Sequence, residues 1–264
     1  MVRMAWLTLL RMTCADTVRQ PVTWLMTLVS LVLVFLSYAF GLFNFLAQDR
    51  LHMLATAGVA VSTINGLFLA VVLASQSVHD ELSSRTALTL FAKPVGRGDF
   101  LVGKMLGVWA TVGISSLIVA AVHVALLAWA IHTGFGDGID DDAHAASDDA
   151  LHLPWPAILA AHALGLGHSA VLASISAVLA LRLPLVANIL VSFGIFLVGN
   201  LLPACGIMGF LAIPALTVFN IDDCIQLALP ISAGYLAMTA LYTACICAGW
   251  LSIGLAVFER QDIP

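Results

Sequence analysis

LHMLATAGVAVSTINGLFLAVVLASQSVHDELSSRTALTLFAKPVGRGDFLVGKMLG, residues 51–107, decides the fold. From Leu51 to His79 the chain carries no Asp, Glu, Lys or Arg. That run exceeds the ~20 residues a helix needs to cross a ~30 Å hydrocarbon layer. Four of the chain's ten Lys and Arg follow closely: Arg85, Lys93, Arg97 and Lys104. From Met105 to Gly136 charge is absent again. Two apolar runs joined by a cationic elbow read as a pair of membrane-crossing helices, with the elbow on the cytoplasmic side where Lys and Arg accumulate.

The same pattern extends outward. Pro21–Gln48, Ala150–Leu181, Leu183–Ile221 and Cys224–Phe258 also lack charged residues. The whole chain is 61% hydrophobic and 9% charged, against roughly 45–50% and about 25% in soluble domains. Too little charge remains to cover a water-facing surface, so lipid must be part of the solvent. Backbone in lipid has to satisfy its own hydrogen bonds, which makes these runs helices. No ten-residue alternation of polar and apolar residues supports a lipid-facing barrel. The expected fold is an all-α integral membrane protein with six transmembrane helices, forming one transmembrane domain over 1–264. Arg11 interrupts the first apolar stretch and no small-x-small site follows, so a cleaved signal peptide is not expected.

Threading six spans with both termini in the cytoplasm leaves nine of the ten cations inside and only Arg50 outside. The spans are expected at about 22–46, 54–77, 101–131, 155–180, 185–203 and 232–257. Residues 2–19 read as an interfacial helix, with Val2, Trp6, Leu9, Leu10 and Thr13 on one stripe and Arg3 and Arg11 elsewhere. Residues 133–154 hold six Asp and no Lys or Arg, as befits an acidic external loop. The fifth run is long and interrupted by Pro203, Gly206, Gly209 and Pro214. It is expected to span once and then continue as a broken external segment before the sixth span.

Within the elbow, residues 79–100, Asp80 or Ser83 is placed to cap a short helix running to about Phe91. Pro94 disfavours helix at Lys93. Gly96 and Gly98 allow a turn, and Asp99 is placed to cap the third span. The short helix, with Leu82, Leu88, Leu90 and Phe91, suits a groove on another protein.

Glu81, then Ser84-Arg85-Thr86, a leucine-rich stretch, and Lys93-Pro94-Val95-x-Arg97 with Gly103-Lys104 resemble the coupling region of type-2 ATP-binding-cassette (ABC) permeases. The tail Val257-Phe258-Glu259-Arg260-Gln261-Asp262 resembles that family's ending. Ser84-Arg85 stands where the family often has Gly, and Gly96 replaces its usual Ser or Thr. The resemblance implies a permease subunit of an exporter, not itself an enzyme, in the cytoplasmic (inner) membrane of a bacterium. It implies an ABC ATPase dimer docking on a coupling helix through Glu81, Arg85, Thr86, Leu90 and Phe91. Lys93, Pro94, Arg97 and Lys104 would fix the turn at lipid headgroups or against acidic residues. A second permease copy or paralogue would complete the pore, with lipid around it and an external or periplasmic partner in some family members. No cofactor is expected on this chain, since ATP and Mg belong to the ATPase, and no nucleic acid is expected.

Other motifs weigh less. Gly98 to Lys104 nearly matches a phosphate-binding loop, but Met105 stands where the magnesium-binding hydroxyl belongs. His162 and His168 lie six residues apart on one span, ~600° around a helix, so they face different ways. With His123 they read as neutral hydrogen-bonding groups inside the bundle, although intramembrane polar residues are functional candidates by default. His144 and His152 beside the Asp cluster lack a calcium-loop order. Cys205 and Cys224 both fall outside on this threading, where a disulfide can persist. Ala161 with Gly165, and Ala163 with Gly167, suit close helix packing. Two other functions stay open: a non-transporting membrane module that transmits ATPase motion, and an intramembrane enzyme. No nucleophile–base pair or metal motif within the spans supports the enzyme.

Overall fold

The computed structural model describes residues 5–41, 43, 47–83, 96–133, 153–207 and 212–259. They form helices α1 (Ala5–Arg19), α2 (Pro21–Gly41), α3 (Ala47–Ser83), α4 (Arg97–His132), α5 (Trp155–Leu179), α6 (Leu185–Ala204), a 3-10 turn at Thr217–Phe219, a short α7 (Asp222–Gln226) and α8 (Ala233–Glu259). No β-strand occurs among the described residues. Six of the helices (α2, α3, α4, α5, α6 and α8) are long and apolar enough to cross a membrane.

Local sequence sets several boundaries. Pro21 opens α2, where its missing N–H costs nothing. Pro154 and Pro184 cap α5 and α6. α3 runs well beyond the 54–77 expected, because Asp49, Arg50, Asp80 and Glu81 are compatible with helix and simply continue it. α2 ends at Gly41, short of the expected 46. The acidic stretch 134–152, with His144 and His152, lies outside the described residues.

α3 and α5 form the centre, and α4 packs against both. On α2 the large apolar side chains Trp24, Leu28, Val32 and Phe35 face outward, as do Val186, Leu190, Leu197 and Leu201 on α6. Outward apolar faces are what a lipid solvent selects. Helices inside lipid gain no hydrophobic drive from meeting one another, so they rely on small residues and hydrogen bonds. Both are present. Thr27 on α2 and Asn65 on α3 meet at Ser115 of α4, at 2.7 and 2.9 Å. Asn188 of α6 donates to Ser75 of α3 at 2.8 Å and to the Ser176 carbonyl of α5 at 3.0 Å. Gly165, on the expected small-residue stripe, lies so close to Thr63 of α3 that a Cβ there would come within 2.8 Å of the hydroxyl.

α1 lies against α4. Gly103 meets Leu9 and the Trp6 carbonyl, Gly107 meets Thr13 and the Leu10 carbonyl, and Thr111 shares a 2.6 Å hydrogen bond with Thr17. Four-residue spacing puts Gly103, Gly107, Thr111 and Ser115 on one face of α4. α1 and then α2 follow that face.

The segment from Ile213 to Ser232 is tied down by protein groups. The Leu216 amide donates to Gly199 of α6 at 3.0 Å. Tyr235 and Tyr242 of α8 donate their hydroxyls to the Val218 and Ala215 carbonyls at 2.6 and 3.2 Å. Irregular backbone near a membrane persists only where protein or water satisfies it. Cys205 and Cys224 are free thiols, so the structure does not join them.

Candidate coupling site

The elbow is framed by the last turn of α3 and the first turns of α4. α4 starts on Gly96, whose extended backbone (φ −68°, ψ 146°) makes it the N-cap. The Phe100 amide donates to its carbonyl at 3.1 Å. Asp99, expected as the cap, instead sits in the first turn. There its carboxylate complements the positive end of the helix dipole. Gly98 to Lys104 is helix throughout, so the phosphate-loop likeness has no loop.

Glu81 and Lys104 face each other across the base of the elbow. The ammonium lies 2.5 Å from the carboxylate, with side-chain exposures of 7% for Lys104 and 24% for Glu81. Breaking a buried pair by removing one partner typically costs about 3–5 kcal/mol, and the partial exposure of Glu81 argues for the lower end. The pair fixes the distance between α3 and α4 where the chain leaves and re-enters the bundle.

A second contact braces the same place. Phe100 and Phe258 are fully buried, with ring centroids 5.9 Å apart. Gly254 lets α8 close on α4, since a Cβ there would lie 2.7 Å from Leu101 and from Val178. The start of α4, the end of α8 and the Trp6–Leu9 end of α1 therefore gather at one end of the bundle. An open groove of about 440 Å³ lies there, lined by Trp6, Gly96, Asp99 and Val102.

Of the residues singled out in sequence, Glu81 and Lys104 are brought together and Arg97 opens α4. Arg85, Thr86, Leu90, Phe91, Lys93 and Pro94 lie outside the described residues. The Phe258 of the tail signature packs on Phe100.

Sequence reading did not find the pairing of His123 with His162. His123 Nε2 donates to the Leu54 carbonyl at 3.1 Å, and its Nδ1 lies 3.0 Å from His162 Nε2. A carbonyl only accepts, so in the neutral pair His123 Nδ1 must accept and His162 Nε2 must donate. The link joins α3, α4 and α5. Gly58 makes room for it, because a Cβ there would come 2.0 Å from the His123 ring. A glycine facing a histidine on another helix leaves no pattern in a linear sequence. His168 points elsewhere, onto Phe219 and Phe196, as the spacing on α5 requires. Among the described residues, no group of three or more His, Cys, Asp or Glu side chains is arranged to hold a metal.

The fold defines an all-α membrane protein with six helices able to span the bilayer and a braced elbow between the second and third. Residues 11–139 match the family model described as ABC-2 family transporter protein. The family whose coupling region the elbow resembles is thus the family found by comparison, and the match covers α1's greater part, α2, α3, the elbow and α4. No curated protein matches the chain.

Proposed function

We propose that this chain is the membrane-spanning permease subunit of an ABC exporter and that its elbow, held in the cytoplasm, is the handle gripped by a separate ATPase. The observation that carries this reading is the Glu81–Lys104 pair. It makes the ends of α3 and α4 move together, so a push on residues 84–95 passes to the two helices as one body rather than being absorbed in a slack connection. Phe258 on Phe100 extends that body to α8. The groove beside Trp6 and Asp99 lies at the same end and offers a soluble partner further surface. ATP and Mg remain on the partner. Two permease chains, identical or related, enclose the path, and the outward apolar faces of α2 and α6 meet lipid or the second chain. The cytoplasmic membrane of a bacterium is the setting that fits.

The test is a reconstituted complex with its ATPase. Arg85→Ala combined with Phe91→Ala, which spares the Glu81–Lys104 pair, should leave the bundle folded while separating ATP hydrolysis from substrate flux. Flux that still tracks hydrolysis in the double variant would overturn the docking role of the elbow.

A further inference from the structure

Pro203 lies inside α6 and has no N–H to give to the carbonyl four residues back. That carbonyl belongs to Gly199. The Leu216 amide, from the irregular segment after α6, donates to it at 3.0 Å. Gly199 lets the segment come this near: a Cβ there would lie 2.6 Å from the Pro214 carbonyl and 3.0 Å from the Leu216 side chain. Leu216 is fully buried at the contact. A carbonyl released by proline, with a glycine beneath the donor, makes a socket on α6 for one backbone amide.

α8 holds the other side of the same segment. Tyr242 donates its hydroxyl to the Ala215 carbonyl at 3.2 Å, and Tyr235 donates to the Val218 carbonyl at 2.6 Å. The Ala215 carbonyl and the Leu216 amide belong to one peptide group, which is planar and stiff. One edge of that plane is therefore bonded to α8 and the other to α6. Phe219, stacked on His168 at 5.0 Å, seats the segment on α5. Among the described residues α6 packs on α3 and α5 and scarcely touches α8. The opposite end of α8 carries Phe258, packed on Phe100 at the elbow.

We propose that residues 213–219 are a strut that makes this end of α6 follow α8, so that a displacement of α8 at its Phe258 end reaches a helix it hardly contacts. Apolar side chains can slide past one another, whereas a hydrogen bond holds over a narrow range of distance and angle. Here both bonds sit on the same rigid plane, which leaves no rotatable bond between the α6 link and the nearer α8 link. The two bonds also polarise one another through the peptide group, so losing one weakens the other. The strut exists without any ATPase, and its test uses neither nucleotide nor partner. It and the coupling role can therefore fail separately.

Amide hydrogen exchange on the whole chain in maltoside micelles reads the strut from both sides. Tyr235→Phe with Tyr242→Phe keeps both rings and removes only the hydroxyls on α8. Exchange in peptides covering 213–219, where the Leu216 amide faces α6, should quicken about tenfold, the size of one hydrogen bond. Pro203→Ala acts from the α6 side, by offering Gly199 a helical N–H that competes with Leu216. It should quicken exchange across 213–219 and also at 230–237, where α8 begins, although it favours helix in α6. Combining the three substitutions should add little to the larger of the two effects, because either set opens the same strut. Either set carries the test alone if the other does not fold. Unchanged exchange at 213–219 without the hydroxyls, unchanged exchange at 230–237 in Pro203→Ala, effects that multiply on combination, or faster exchange spread equally over α3 and α5 overturns the proposal.

Discussion

Lys104 is a lysine placed where a helix start enters an apolar bundle, and its carboxylate partner is what makes it tolerable there. Lys104→Met leaves Glu81 without its cation, and Glu81→Gln leaves Lys104 without its anion. Each should lower stability by about 3 kcal/mol, seen as an earlier unfolding transition in detergent. The exchanged pair Glu81→Lys with Lys104→Glu should recover part of the loss; no recovery would mean that each side chain acts separately. Gly58 offers a second test. Gly58→Ala drives a methyl into His123, whose ring is pinned at both nitrogens. Overpacking of this kind costs about 1–3 kcal/mol. Gly113 has nothing within 4 Å of its would-be Cβ, so Gly113→Ala should be neutral or slightly stabilising, by up to about 1 kcal/mol of helix propensity. Equal effects of the two substitutions on the unfolding midpoint would show that the histidine contact does not constrain Gly58.

Among the elements, the apolar runs announced their helices because their length and their lack of polar alternation leave helix rather than barrel strand as the backbone state in lipid. Ends were harder to read. Asp49 and Glu81 look like span boundaries, yet α3 includes both, since charge limits a membrane crossing and not a helix. Asp99 has the chemistry of a cap, but Gly96 has the backbone position. The loop pattern singled out Glu81 and Lys104 separately, whereas their meeting depends on the register of α3 against α4, which sequence does not carry. Likewise Gly107 and Thr111 passed as ordinary parts of an apolar run, and Gly103 as part of the elbow motif, although they are the seat of α1. The Thr111 hydroxyl lies 3.6 Å from the Cys14 sulfur. Thr111→Cys should therefore join to Cys14 on mild oxidation, and adding Gly107→Leu should abolish the product by unseating α1. Cross-linking that persists with Gly107→Leu would show that α1 is held some other way.

At the scale of the molecule, the charge distribution predicts orientation and the packing brings the start of α4, the end of α8 and one end of α1 together. Single cysteines at Ser84 and Ser147, in a chain otherwise stripped of cysteine, test which side each end occupies. An impermeant maleimide should label position 147 in intact cells and reach position 84 only after the membrane is opened. The opposite order would invert the protein. Sequence located the elbow, but the brace from α8 escaped it, because Phe100 and Phe258 lie far apart in the chain and meet only through the packing of α8 on α4. Mobile ions penetrate the Glu81–Lys104 join poorly, since a Debye length of about 8 Å at physiological salt describes solvent and not a packed helix pair. On the docking proposed above, concentrated salt should release the partner from the elbow while the join stays closed, and dilution should let it rebind without any refolding of this chain.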